Sequence, residues 1–272
     1  MTYIKLSQKM LNSELFGLNK IILLHGPAGS GKTSLCCGLA QKAAAMLYNQ
    51  YQDIYLIEIN SQNLFSKWFS ESGKLVSKLF SEMNEMLQNK DNMIFLLIDE
   101  VESLISSRIM SMNSNEPSDS IRVVNSVLMH IDRIKRHNNI LILSTSNILE
   151  AIDNAFIDRV DLKLFVDHPA EPSINKILTN SIQQLVTNDI LSLNNEIVDD
   201  EIKRLSKMCV GISGRKIKKL PFLSLSKCYT NNNSIQFSKF MEKSIEEAIK
   251  AKSINKNLNQ KTTFNGLSPF ST

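Results

Sequence analysis

Residues Gly26-Pro27-Ala28-Gly29-Ser30-Gly31-Lys32-Thr33 satisfy the spacing G-x-x-x-x-G-K-[ST]. Residue types in this order suit an anion. Glycines let backbone N–H groups turn inward with no Cβ in the way, and a helix that opens at the lysine points its positive end at the same place. Lys32 can then reach the β- and γ-phosphates of a nucleoside triphosphate, and Thr33 can offer a hydroxyl to Mg²⁺. Ser34, next in the chain, belongs to the same binding set. A chance glycine-rich turn is the competing reading. The apolar run Ile21–Leu24 before the loop and the Leu- and Ala-rich stretch after it give the strand–helix setting the pattern needs.

A second group is Ile94-Phe95-Leu96-Leu97-Ile98-Asp99-Glu100, an apolar strand that ends in two acids. Charge set beside a core needs a reason. Asp99 at the strand end can join the Mg²⁺ shell, and Glu100 can polarise an attacking water. A capping role for one of the acids is the plainer alternative. A third group is Ile140-Leu141-Ile142-Leu143 followed by Ser144-Thr145-Ser146-Asn147. Asn147 can contact a γ-phosphate or the water, although asparagine is also a common turn residue.

These groups must be positioned by a framework, and the sequence predicts one. Strands are expected at Ile21–Leu24, Ile54–Ile59, Met93–Ile98, Ile140–Leu143 and Leu162–Val166. Helical patterns lie between them: Lys32 to Leu47, Gly73 to Leu87, and a helix starting at Ser118 or Asp119 with the stripe Ile121, Val124, Leu128 and Ile131. The polar stretch Ser106–Ser118 reads as a loop. Strands alternating with helices predict an α/β domain with a doubly wound parallel sheet of five strands, covered on both faces. After His168-Pro169 only helical patterns are expected, so the chain is divided into a large domain (1–168), a small C-terminal helical lid (169–253) and a disordered Asn-, Ser- and Thr-rich tail (254–272).

Bulk composition narrows the classes. The 272 residues are 43% hydrophobic and 21% charged, with a net charge of +4. That charge is too small to argue for a nucleic-acid or membrane partner. The cluster Arg215-Lys216-Ile217-Lys218-Lys219 reads as a solvated helix face. No apolar run approaches the roughly 20 residues of a bilayer span. Four cysteines, Cys36, Cys37, Cys209 and Cys228, lack metal-ligand spacing and read as reduced thiols in an intracellular compartment.

Taken in order, the three groups resemble the core of AAA+ ATPases. Other strings sharpen the likeness: Glu58-Ile59-Asn60-Ser61, Leu64 to Lys74, Leu97 to Leu104, Glu116-Pro117-Ser118-Asp119 and Ile121 to Asn125. With these, the chain resembles the pachytene checkpoint protein 2 homologs from about Tyr3 to about Ile249. The resemblance implies a hexameric ring that uses Mg·ATP to unfold part of HORMA-domain protein clients, with or without an adaptor, in meiosis and checkpoint silencing. It implies association in part with chromosomes. The nuclear or cytoplasmic placement follows instead from the reduced cysteines and the lack of a signal-peptide pattern or apolar span, and the expectation of no membrane and no direct sequence-specific nucleic acid from the small net charge. By carry-over from the family Lys67, Trp68 and Phe69 form a pore loop that grips the client. A core tryptophan is the plain alternative for Trp68, and the flanking Lys67 and Ser70 with the polar Ser-Glu-Ser that follows favour the pore. Asn147 is the first sensor. Arg159 is the arginine offered to a neighbouring subunit's ATP, with a surface ion pair to Asp158 or Asp161 as its plain alternative. Arg215 is the second sensor.

Two departures from that family are expected. Only 20 residues precede the first strand, so the client-binding N-terminal domain is expected to be missing, and the adenine-enclosing segment looks cut short. The rival readings are a non-autonomous regulatory ring subunit and a nucleic-acid-linked AAA+ ATPase.

Overall fold

The computed structural model of the chain describes residues 20–61, 72–103, 118–192, 198–228 and 235–264. Two compact units emerge: Met1–Pro27 with Lys32–Val166, and Asp167–Thr272 with the four loop residues Ala28–Gly31.

The first unit runs β1 (Ile21–His25), α1 (Lys32–Leu47), β2 (Asp53–Asn60), α2 (Ser72–Gln88), β3 (Asn92–Asp99), α3 (Ser118–Ile134), β4 (Ile140–Ser146), the short α4 (Asn154–Ile157) and β5 (Leu162–Phe165). The five strands form one sheet in the order β2-β3-β4-β1-β5, and every neighbouring pair is parallel. Successive side chains on a strand point to opposite faces, and β3 shows what this does. Ile94, Leu96 and Ile98 enter a core shared with Val76, Phe80 and Met83 of α2 and Val124, Val127 and Ile131 of α3. Met93, Phe95 and Leu97 enter a second core with Cys36, Ala40, Ala43 and Leu47 of α1. Both faces are therefore dry, which is why β3 reads as an unbroken apolar run. Each fully buried leucine or isoleucine here contributes about 1.5–3 kcal/mol from transfer alone.

Coverage is less even than expected at the margins. The edge strand β5 is exposed along its length, and in β2 only Ile59 is buried. A strand at the end of a sheet has neighbours on one side only, so its outer positions face solvent.

The second unit contains α5 (Glu171–Thr187), β6 (Leu191–Ser192), α6 (Val198–Met208), α7 (Gly214–Cys228), β7 (Ile235–Gln236) and α8 (Phe237–Phe264). Ile174, Leu178 and Ile182 recur every four residues on α5 and meet Ile202 and Leu205, Ile217 and Leu220, and Phe240 and Met241 in one core. Asp199, Asp200 and Glu201 open α6, where negative charge suits the helix N-terminus.

Two expectations change in this unit. Helices alone were expected, yet β6 and β7 pair as a two-stranded parallel sheet through Leu191↔Ile235 and Ser192↔Gln236. The tail was expected to lose structure from 254, whereas α8 continues to Phe264, because the stretch lacks glycine and proline until Gly266. All four cysteines are free thiols, and burial pushes that of Cys36 up to about 12. Among the described residues no helix is long and apolar enough to cross a membrane.

Candidate active site

In a parallel sheet all strands end on the same rim, and that rim is where α/β folds bind ligands. β1 delivers the glycine-rich loop there, β3 delivers Asp99 and Glu100, and β4 delivers Asn147. The loop's geometry depends on glycine at specific points. Gly26 has φ +147°, and a Cβ on it would lie 2.2 Å from the carbonyl oxygen of Val166, so any side chain collides with backbone. Gly31 has φ +100°, a region L side chains rarely enter.

Lys32 is almost fully buried, and its ammonium donates to Gly26 O (2.8 Å), Pro27 O (2.9 Å) and Asn147 Oδ1 (2.8 Å). The P-loop lysine and the asparagine at the end of β4 are thus within one hydrogen bond of each other. Gly26 N–H also donates to Ser146 O at 3.2 Å, which ties the loop to β4. The Thr33 hydroxyl donates to Asp99 Oδ1 at 2.8 Å, so the two oxygens expected to serve Mg²⁺ are already paired across 66 residues of chain.

Glu100 has φ +57°, left-handed backbone that costs a non-glycine residue on the order of 1–2 kcal/mol. Its N–H donates to Thr145 Oγ1 at 3.1 Å, and its carbonyl accepts from Ser103 Oγ at 2.7 Å. Asn147 is fixed from behind, its N–H donating to Glu102 Oε1 at 2.9 Å.

A nucleotide and a divalent cation fit these residues. The Ser30 hydroxyl is shielded from solvent and has no hydrogen-bond partner among the described residues. Glycines 26, 29 and 31 at positive φ leave the loop backbone bare for an anion. Mg²⁺ takes oxygen ligands and keeps much of its own water, so Thr33 and Asp99 would hold it without a cage of acids. It would supply charge neutralisation at the phosphates.

Arg159 does not use either acid offered by its local sequence. Its Nε donates to Asp132 Oδ1 at 2.9 Å and its Nη2 to Asp132 Oδ2 at 2.8 Å, a two-point pair with the last turns of α3. Asp161 is occupied elsewhere, accepting from the N–H groups of Lys20 and Ile21 and from Lys135 Nζ. Within the second unit, Arg215 is the second residue of α7, its side chain is exposed, and its N–H donates to Gly29 O at 3.4 Å. Lys67, Trp68 and Phe69 lie outside the described residues. Sequence reasoning missed Thr145, Glu102 and Asp132, since nothing in their local context marks them and their partners are distant along the chain.

A glycine-rich phosphate loop, a paired Thr33 and Asp99, a glutamate beside them and a polar amide on the next strand define a P-loop nucleoside triphosphatase. Residues 22–168 match the AAA family, the ATPase family associated with various cellular activities. Residues 195–253 match the TRIP13-like AAA+ ATPase lid C-terminal domain. The Danio rerio pachytene checkpoint protein 2 homolog is 45% identical over 241 residues, covering 82% of this chain and 57% of the relative. The structure of C. elegans PCH-2 superposes with a TM-score of 0.77 at 36% identity, over 93% of this chain and 67% of that one. A chain in the E. coli MS115-1 HORMA:CdnC:Trip13 complex shares the fold, with a TM-score of 0.65 at 20% identity over 90% of this chain and 80% of that one. The chain therefore belongs to the AAA family of ATPases and, within it, to the pachytene checkpoint protein 2 homologs. It spans a little over half the length of the curated relatives it matches.

Proposed function

We propose that this chain hydrolyses Mg·ATP as a subunit of a ring, most simply a hexamer, and uses the energy to unfold part of a HORMA-domain client. The observation that carries the reading is the meeting of Lys32, Thr33, Asp99, Glu100 and Asn147 at one sheet rim. Lys32 neutralises the phosphates, Glu100 polarises the attacking water, and Asn147 orients the γ-phosphate or that water. Arg159 completes the neighbouring subunit's site in trans, so turnover depends on assembly. Arg215 in the lid domain senses the γ-phosphate, and Trp68, flanked by Lys67 and Phe69, pulls the client through the pore. The client class is supported by membership of this family and by the HORMA protein in the complex of the E. coli fold neighbour. A nuclear or cytoplasmic site of action, in part on chromosomes, goes with that reading, as does recruitment through an adaptor.

Steady-state ATPase activity measured against protein concentration tests it, with Glu100→Gln as control and a HORMA-domain protein added in a second series. Activity per subunit should rise with concentration, vanish in the control and increase with the client. Nucleotide binding without turnover at any concentration would leave the chain as a regulatory ring subunit.

A further inference from the structure

β4 ends in three buried polar residues where an apolar strand would suffice: Ser144, Thr145 and Ser146 are each at most 1% exposed. Burying a hydroxyl costs free energy unless it is hydrogen-bonded. Ser144 and Ser146 meet that need with nearby carbonyls, Ile22 O at 3.1 Å and Ile148 O at 3.1 Å. Thr145 does something different. Its hydroxyl accepts the N–H of Glu100 at 3.1 Å and donates to Asp99 Oδ1, while its carbonyl accepts the N–H of Val101 at 3.0 Å.

A hydroxyl has one proton. With Glu100 N–H donating to the oxygen, that proton has a single useful direction, toward Asp99. We propose that Thr145 is a positioning residue for ATP hydrolysis, its hydroxyl fixing the Asp99 carboxylate and the Glu100 backbone relative to one another. Three observations converge on this. Glu100 is in left-handed backbone, which persists only where surrounding bonds hold it. Among the bonds that hold it are those from Thr145 on one side and Ser103 on the other. The Asp99 oxygen that Thr145 reaches is also the one Thr33 reaches, at 2.8 Å, so the hydroxyl completes a chain from the phosphate loop through the metal-binding acid to the water-polarising acid. Hydrogen bonds in such a chain orient one another.

Thr145→Val keeps the shape and removes the hydroxyl, and Thr145→Ser keeps the hydroxyl. A displacement of about 1 Å at a reacting group costs on the order of 10²-fold, so kcat of the Val variant should fall by about that much. KM for ATP should change little, the thermal midpoint should fall modestly because the Glu100 N–H loses this acceptor, and Thr145→Ser should restore most of the rate. A readout independent of turnover is amide hydrogen exchange at Glu100, which should accelerate in the Val variant and stay slow in the Ser variant. Should Val fail to fold, Thr145→Ala removes the same hydroxyl without adding bulk. Parental turnover in the Val variant, unchanged protection of the Glu100 amide, or equal loss in Ser and Val would each overturn the assignment. So would a lowered thermal midpoint with kcat preserved, which is what a purely structural hydroxyl predicts.

Discussion

Arg159 and Asp132 face each other across the end of α3 with two parallel hydrogen bonds, 2.9 and 2.8 Å long. Those bonds, ahead of other causes, raise the guanidinium's pKa above its ordinary value. The two side chains are 28% and 45% exposed, so water and salt reach the pair and it is one that can open. The residue proposed to act on a neighbour is therefore held, within its own subunit, by a carboxylate that competes for it. Arg159→Ala should lower turnover by about 10³-fold or more. Mixing it with Lys32→Ala should recover activity, because each variant supplies what the other lacks. Asp132→Asn should lower the protein concentration at half-maximal ATPase activity. Failure of the mixture to recover would place Arg159 outside the trans role.

Binding and turnover should separate cleanly at the rim. Lys32→Ala removes the ammonium that bridges the loop carbonyls and Asn147, so fluorescent ADP and ATP should no longer bind at micromolar protein. Glu100→Gln keeps the loop intact and should bind nucleotide as the parent does. Its kcat should fall by about 10²- to 10⁴-fold, the range for a lost general base. Equilibrium titration and single-turnover hydrolysis on the two variants check both halves.

The sheet's interior and its margin should respond differently to truncation. Leu96 on β3 is fully buried, and Leu56 on the edge strand β2 is 42% exposed. Leu96→Ala should cost about 2–5 kcal/mol, and Leu56→Ala about 0.5 kcal/mol or less. Urea unfolding of the two variants measures the contrast.

Acid should weaken the first unit before its carboxylates titrate. His130 stacks on Phe80 with ring centroids 5.0 Å apart, and His137 lies 3.1 Å from Asn84 Oδ1. Burial first, then neighbouring cationic side chains, lowers both imidazole pKa values below 6.5. As pH falls, the unfolded chain takes up these protons before the folded one does. Stability should thus be flat above about pH 6.5 and decline toward pH 5. Replacing both histidines by glutamine should flatten that stretch of the curve, read as urea midpoint against pH.

Much of this architecture is legible in the sequence, for identifiable reasons. The glycine-rich loop is contiguous, and its glycines act through local backbone. The strand Met93–Ile98 declares itself because both of its faces are dry. The expected end of β4 at Leu143 falls short of Ser146 because a buried polar strand end carries no apolar signal. Partners are harder to read than elements. Asp132 lies 27 residues before Arg159, and Thr145 lies 46 residues after Asp99. No local pattern links them, and both flanking acids of Arg159 were the more obvious choices. β6 and β7, with two residues each, are too short to show an alternation at all.

The order of the strands carries a last consequence, for synthesis. β1 has no neighbour in the sheet that is close to it along the chain: Ile21 waits for Ile142, and Ile22 for Leu162. Contacts so distant in sequence form late and slow the search for the native state. The nucleotide loop leaves the ribosome ahead of every other part of the site, yet the strand that carries it gains both its flanks only once β5 has been translated. A chain interrupted before β5 would carry the glycine-rich loop, Lys32 and Asn147 on a sheet in which one edge of β1 is bare, a ready template for aggregation.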